Sequence, residues 1–313
     1  MSRVQFGVHA GLQDCTYAEL SAFWRDVEDA GFDWISVWDH FYPTALDNPE
    51  GDCLEAVATH AALAAVTERV RVGCLVYSAG YRHPAVLANA AATIDQISNG
   101  RVELGLGAGW HQPEYAAYGI DFEAPSVRIR RLGEAVEVVR SLFTNEVTDF
   151  DGEFFKLSGA HCAPKPVQAK PRIWIGGWGE KKMLPLVGRL ADAWNAPFTA
   201  PELWSHKLKL VHEHAADAGR DPSDLIASAN IGTVIGRTDA DVERKRALLP
   251  QMFGPMWPAL EPGILIGTPN EVADHASAYV EAGADWLILA QRAPFDRESL
   301  NLFAKYVVPQ LPN

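Results

Sequence analysis

The stretch Val70-Arg-Val-Gly-Cys-Leu-Val-Tyr77, followed by residues 84–97, the pair Asn99-Gly100, and Val102-Glu-Leu-Gly-Leu106, decides the fold. Its two outer runs are short, apolar and rich in β-branched residues, the pattern of strands buried on both faces. Between them lies a segment with apolar residues at helical spacing, opened by Pro84 and closed by Asn99-Gly100, the residues that favour a helix start and a helix stop. Two strands joined through a helix by such short links form a parallel βαβ unit.

Outward from this unit the same alternation continues. Residues 4–9 and 34–38 read as strands, separated by a helix that the capping box Thr16-Tyr-Ala-Glu19 opens and Gly31 ends. A helix over about 54–66 leads into the quoted stretch. Downstream, residues 126–143 carry an apolar stripe at Ile129, Leu132, Val136, Val139 and Leu142, the core face of a long helix. Further strands are predicted at 173–175, 193–194, 226–235 and 286–289, each followed by a helical segment, and Thr268-Pro269-Asn-Glu271 is a second clear helix start. Two excursions interrupt the series. Residues 147–157 form two short runs about Asp151-Gly152, a hairpin signal, and the proline- and tryptophan-rich residues 250–262 read as an irregular loop. Eight strands each followed by a helix, with no linker between them, predict one domain over 1–313: a closed (β/α)8 TIM barrel with insertions.

Composition narrows the function. With 48% hydrophobic and 21% charged residues the chain is that of a packed protein. It holds 27 basic and 40 acidic residues, a net charge of −13, and the longest basic clusters, Arg128/Arg130/Arg131 and Arg244/Lys245/Arg246, fall in helical segments. Such a field repels phosphate backbones and anionic membranes, so neither nucleic acid nor a membrane surface is the expected partner. Four cysteines without a C-x-x-C pair, no signal-peptide pattern and no 18-residue apolar run fit a soluble cytoplasmic protein with a small-molecule substrate.

In a parallel barrel, chemistry sits just beyond the C-terminal ends of the strands. His40 follows Trp38-Asp39 at such an end, where a histidine can exchange a proton near neutral pH; a hydrogen bond to a loop carbonyl is the plainer alternative. Gly176-Gly-Trp-Gly-Glu-Lys181 follows a strand and opens a helix, so its backbone amides could hold a phosphate, helped by Lys181 or Lys182; a tight turn is the alternative. Gly105-Leu-Gly107-Ala-Gly109 also follows a strand but is not a dinucleotide-binding fingerprint. No metal site is expected, because His212 and His214 lie on different helix faces and His9 lacks a paired histidine.

The ordered set of these segments resembles the bacterial luciferase-like monooxygenase superfamily, in its branch of coenzyme F420-dependent oxidoreductases. The resemblance rests on Gly31-Phe-Asp-Trp-Ile-Ser-Val-Trp-Asp39-His40, on residues 69–76 with Tyr81-Arg-His-Pro84, and on Ser98-Asn-Gly-Arg101 through Tyr115. It continues through Phe150-Asp-Gly-Glu153, Pro164-Lys-Pro-Val-Gln168, Ile175 to Lys181, Ala191-Asp-Ala-Trp-Asn195 and Gly267-Thr-Pro-Asn-Glu-Val272.

That resemblance implies a flavin or deazaflavin lying across the barrel mouth, with Asp39 and His40 beside its reactive face and His40 positioning or protonating the reacting centre. It implies a non-prolyl cis peptide at Ser78-Ala79 behind the ring, a ring and ribityl loop at Gly107, Ala108 and Gly109, and a phosphate turn at Gly176, Gly177, Gly179, Glu180 and Lys181. Arg82, Lys181 and Lys182 are the candidate cations for the cofactor tail, and a homodimer is the common assembly. Members that oxidise sugar phosphates or alcohols tend to carry a tryptophan and an acid where this chain has Thr44 and Trp110, which speaks against a sugar-phosphate or alcohol dehydrogenase; His111 and Glu114 are the candidates to replace them, with a loop hydrogen bond and a helix-start carboxylate as the alternatives. The expected activity is hydride transfer between F420 and a small organic substrate. The alternatives are an FMN-dependent monooxygenase supplied by a separate reductase, a non-catalytic flavin-binding barrel, and a metal-dependent hydrolase barrel. Loops 41–52, 110–127 and 250–262 are the expected pocket lid.

Overall fold

The computed structural model describes residues 3–44 and 50–312, so residues 45–49 of the predicted lid loop 41–52 lie outside the described residues. Its strands, in chain order, are β1 (Gln5–Ala10), β2 (Trp34–Val37), β3 (Arg71–Ser78), β4 (Val102–Gly107), β5 (Thr148–Asp151), β6 (Lys156–Ala160), β7 (Ile173–Gly176), β8 (Ala193–Pro197), β9 (Ile226–Ile235), β10 (Ile264–Gly267) and β11 (Trp286–Gln291). The order β9-β11-β1-β2-β3-β4-β7-β8 closes through a β8–β9 pairing, and every pairing in this ring is parallel. The chain is an eight-stranded TIM barrel, as its alternation predicts. The helices that follow the strands are α1 (Tyr17–Asp29), α2 (Ala56–Val66), α3 (Pro84–Ser98), α4 (Gln112–Ala117), α5 (Pro125–Thr144), α6 (Met183–Leu190), α7 (Pro201–Asp217), α8 (Asp239–Arg246), α9 (Leu249–Phe253), α10 (Trp257–Leu260), α11 (Pro269–Glu281) and α12 (Arg297–Leu302).

Three local expectations are corrected. Residues 250–262 are not irregular: α9, a 3-10 turn at Gly254–Met256, α10 and a second turn at Glu261–Gly263 follow one another, because each proline sits in a first turn, where its missing N–H costs no bond. A ninth strand, β10, follows them and pairs with the last four residues of the ten-residue β9, outside the ring. The hairpin of β5 and β6 closes over residues 152–155 and not over a tight Asp-Gly turn. The Glu134 carboxylate on α5 accepts from the amides of Glu153, Phe154 and Phe155 at 2.7, 2.9 and 3.2 Å and holds that loop open.

Inside the barrel, Trp34, Trp174 and Trp286 meet at ring distances of 4.7, 5.5 and 6.3 Å and, with Leu75, Ala193 and Ile288, plug the lumen. The Trp174 indole donates to the buried Glu103 at 2.6 Å. The filled interior leaves chemistry to the rim above it.

The non-prolyl cis peptide bond joins Leu75 to Val76, not Ser78 to Ala79 as the resemblance implied. It lies where β3 slips register against β4, between Cys74 and Tyr77. Val76 occupies space that side chains would otherwise take: a Cβ on Gly107 or Gly176 would stand 2.4 or 2.9 Å from its methyl groups, and one on Gly105 would stand 2.2 Å from the Cys74 carbonyl oxygen. Three of the rim glycines thus make room for the bulge. The Gly105→Ala variant is expected to lose ~1–3 kcal/mol of stability, the usual range for overpacking, read as a lower denaturation midpoint. An unchanged midpoint would contradict this close approach of β3 and β4.

Candidate active site

The loop after β2 carries Asp39 and His40, and each is held by a different charge network. Asp39 is buried; its carboxylate accepts two bonds from Arg82, at 2.7 and 2.8 Å, and one from the Ser78 amide at 2.9 Å. Burial pushes its carboxyl up from the ordinary value, and the guanidinium opposes that shift. Arg82 also donates to Glu55 at 2.6 Å. Asp39 therefore fastens β2 to β3, and Arg82 is engaged with two acids and is not a spare cation for a cofactor tail.

His40 is organised by Glu114, on the short α4. The Nδ1 of His40 lies 2.8 Å from Glu114 Oε2, the Tyr81 hydroxyl donates to that oxygen at 2.6 Å, and the amides of Phe41 and Tyr42 donate to Oε1 at 2.6 and 3.0 Å. Glu114 is fully buried. Burial alone would raise its pKa, but the bond and charge of His40, with the Tyr81 and Tyr42 donors, overcome it and bring the carboxyl down to about 2. An ionised carboxylate takes a proton-bearing nitrogen as partner, so Nδ1 of His40 carries the hydrogen and Nε2 is left for other chemistry. No described residue bonds Nε2, and the side chain stays 13% exposed among Trp38, Trp110 and His111, whose rings stand 5.5–5.7 Å away.

His111 Nδ1 comes within 3.3 Å of the same Glu114 oxygen without hydrogen-bond geometry. His40, His111 and Glu114 are close enough to share a cation. Both carboxylate oxygens, however, already accept protein donors, and the cluster is built to hold a proton. Stacked beside it, Phe41 and Tyr118 lie 4.4 Å apart, and Phe41 meets Tyr81 at 4.8 Å.

The glycine loops come together because β4 and β7 are neighbours. After β4, Gly109 adopts φ +76°, and a Cβ there would strike the Tyr115 hydroxyl, which itself bonds the Ser78 hydroxyl at 2.6 Å. Ala79 is buried beside Ser78, its amide bonded to the Gly107 carbonyl, and Ala108 lies in the next loop. After β7, Gly177 adopts φ +141°, and its amide bonds the Asn195 carbonyl. The amides of residues 108–111 and 178–182 find no acceptor among the described residues, and a Cβ on Gly179 would meet only Met183, at 3.6 Å. Two adjacent runs of free N–H donors, one at the start of α6, suit an anion.

Glu180 does not face that space alone. Lys207 of α7, nearly buried, donates to Glu180 at 2.9 Å and to the Trp178 carbonyl at 3.1 Å, which holds the Glu180 carboxyl below its ordinary value and pins the turn. Lys181 and Lys182 are exposed, with no acidic partner among the described residues. Sequence alone assigns no role to Lys207, Tyr81 or Tyr115, although the two tyrosines fall in segments that carry the resemblance; each is defined by a partner far away in the chain.

The luciferase-like monooxygenase family model matches residues 2–261. The chain is 37% identical over 180 residues to the phthiodiolone/phenolphthiodiolone dimycocerosates ketoreductase of Mycobacterium kansasii, a match covering 56% of this chain and 48%, about half, of that one. Among solved structures it is similar to an F420-dependent secondary alcohol dehydrogenase, at 24% identity, TM-score 0.87 and full coverage of both chains. It is also similar to the oxygenating constituent of 3,6-diketocamphane monooxygenase from Pseudomonas putida, solved with FMN, at 18% identity, TM-score 0.81 and 99% of each chain. At these identities the structural likenesses show the fold.

A carboxyl depressed in the folded state stabilises it above the unfolded pKa, near 4.5, and that stabilisation is lost as pH falls toward the folded value. For Glu114 the loss is on the order of 3 kcal/mol, spread between about pH 4.5 and about 2. The Glu114→Gln variant is expected to be less stable than wild type at neutral pH, with the gap closing across that window in denaturation midpoints taken against pH. A gap independent of pH would show that the charge of Glu114 is not what holds these loops.

Proposed function

The chain belongs to the luciferase-like monooxygenase family, and within it we propose an oxidoreductase that moves a hydride between a deazaflavin, coenzyme F420, and the carbonyl or carbinol carbon of a small organic substrate. The observation that carries this reading is His40, oriented through Nδ1 by the buried Glu114 carboxylate and with Nε2 open at the barrel mouth. A ketoreductase among the relatives supports carbonyl chemistry.

The residues present fit such a cofactor. Free amides over 108–111 and 178–182 and the open Gly179 can receive its phosphate, with Lys181 and Lys182 at hand, and the buried Ser78 and Ala79, bonded to the loop after β4, are the candidates to back its ring. When bound, the deazaflavin supplies the redox chemistry, giving or taking a hydride at its ring. His40 handles the accompanying proton: in reduction Nε2 gives it to the carbonyl oxygen as the carbon accepts the hydride, and in oxidation Nε2 takes it from the hydroxyl. Glu114 keeps Nδ1 protonated and stabilises the imidazolium form of that cycle. Asp39 acts one step away, locking the loop to β3 through Arg82 and the Ser78 amide.

Two measurements test this. Titration of the purified protein with F420 and with FMN is expected to show the tighter site for F420; tight binding of FMN alone would favour the flavin monooxygenase, and no binding of either a non-catalytic barrel. The His40→Ala variant is expected to bind cofactor normally but to turn over ~10²–10⁴-fold more slowly, the range for a lost general acid. Unchanged turnover would remove His40 from the reaction.

A further inference from the structure

Strand order divides the barrel mouth. Ser78-Ala79 and the two glycine loops follow β3, β4 and β7, whereas β9, β11 and β1 form the other side of the ring. There, Arg292 is the first residue after β11. Its guanidinium carbon stands 5.1 Å from the Trp38 ring and 5.4 Å from the Phe253 ring, and Phe253 in turn meets Phe198 and Trp257, each at 6.1 Å.

Arg292 differs from the other half-buried arginines. Arg71, Arg82, Arg101, Arg140 and Arg220 all donate to carboxylates or carbonyls. Arg292, only partly exposed, makes no hydrogen bond and no ion pair among the described residues, and burial with no compensating acid pushes its pKa down to about 10, so it stays charged at neutral pH. A partly buried cation with no anion beside it is less favourable than a paired one, and an anionic ligand completes it.

The surroundings define that ligand. Two aromatic rings lie within 5.4 Å of the guanidinium carbon, and a guanidinium presents paired N–H donors that match the two oxygens of a carboxylate. Trp38 also stands 5.7 Å from His40, and His9, neutral because burial and the Arg292 and His40 charges lower its pKa to about 3, is felt by both. An acid bound at Arg292 therefore lies near the proton-carrying imidazole, on the side of the mouth away from the glycine loops. In a chain of net charge −13, an acidic substrate needs a local cation of this kind.

We propose that Arg292 is the specificity-determining residue of the substrate pocket and that the substrate class is a carboxylate attached to an apolar or aromatic body that also bears the reacting carbonyl or hydroxyl. The proposal rests on the oxidoreductase reading of the same mouth. The probes are benzoate and its neutral isostere benzamide, titrated calorimetrically into the full chain with and without F420 or FMN.

Benzoate is expected to bind, more weakly as salt is raised, and benzamide at least about tenfold less tightly. The Arg292→Met variant is expected to lose about tenfold or more in benzoate affinity with cofactor affinity unchanged, and Arg292→Lys to lose less. Should Arg292→Met fail to fold, Arg292→Lys and the benzoate–benzamide ratio of wild type decide the matter. Equal binding of the two probes, no benzoate binding, or full affinity in Arg292→Met overturns the proposal. So does an Arg292→Met variant that weakens cofactor and not benzoate. Arginine-dependent benzoate binding in a protein that takes neither cofactor upholds the anion site and sinks the oxidoreductase reading; the reverse result sinks the anion site alone.

Discussion

Glu114 is a buried carboxylate that stays charged, and the geometry of the mouth is built around it. Its two oxygens gather His40 and the amides of Phe41 and Tyr42 from the loop after β2, and Tyr81 from the loop after β3. Burying a charge is costly unless hydrogen bonds replace water, and here four donors do so. The same bonds fix the imidazole tautomer. One residue on a six-residue helix thus couples the stability of two loops to the protonation pattern of the candidate acid.

Beneath this charge layer lies its opposite, a lumen filled by three indoles. A plug of that size seals the barrel's centre and gives the rim side chains a rigid floor. Polar pairs sit in the strands that enclose it, His9 with Ser36 at 2.9 Å and Asn195 with Ser228 at 2.8 Å. Asp39 and Glu114 work differently although both are buried acids. Asp39 is matched by a permanent cation and serves to fasten, whereas Glu114 is matched by a histidine, whose charge can change during a reaction.

Much of this was legible in the residues. Alternating short apolar runs and helical stripes point to a parallel sheet covered by helices, and eight such repeats without a dividing linker favour its closure into a barrel. The helix starts at Thr16 and Thr268 are local, and the Thr16 and Thr268 amides both donate to the predicted glutamates. What stayed hidden is set by distant partners. Glu114 reads as one carboxylate at a helix start, and its importance comes from residues 33–74 positions away. Gly107 and Gly176 read as cofactor glycines, yet Val76 on a neighbouring strand gives them a second reason to lack a Cβ. Strand β10 was missed because the prolines before it suggest a loop; they sit in helical turns, and the strand exists only because the long β9 extends far enough to pair with it.

The distribution of charge at the rim follows from the net −13. Arg82, the arginine nearest the loop after β2, is neutralised by Asp39 and Glu55, and Lys207 by Glu180, so neither adds free positive potential to the mouth. What remains on the glycine side is two runs of backbone N–H groups with the exposed Lys181 and Lys182, which attract an anion without adding a buried cation. On the opposite side the guanidinium of Arg292 stands near the Trp38 and Phe253 rings, where partial burial lowers the effective dielectric and strengthens its attraction for an oxyanion. Backbone dipoles and surface lysines on one side and a partly buried guanidinium on the other, with an imidazole at the rim between them, can hold two anionic molecules in one mouth without either competing for the other's donors.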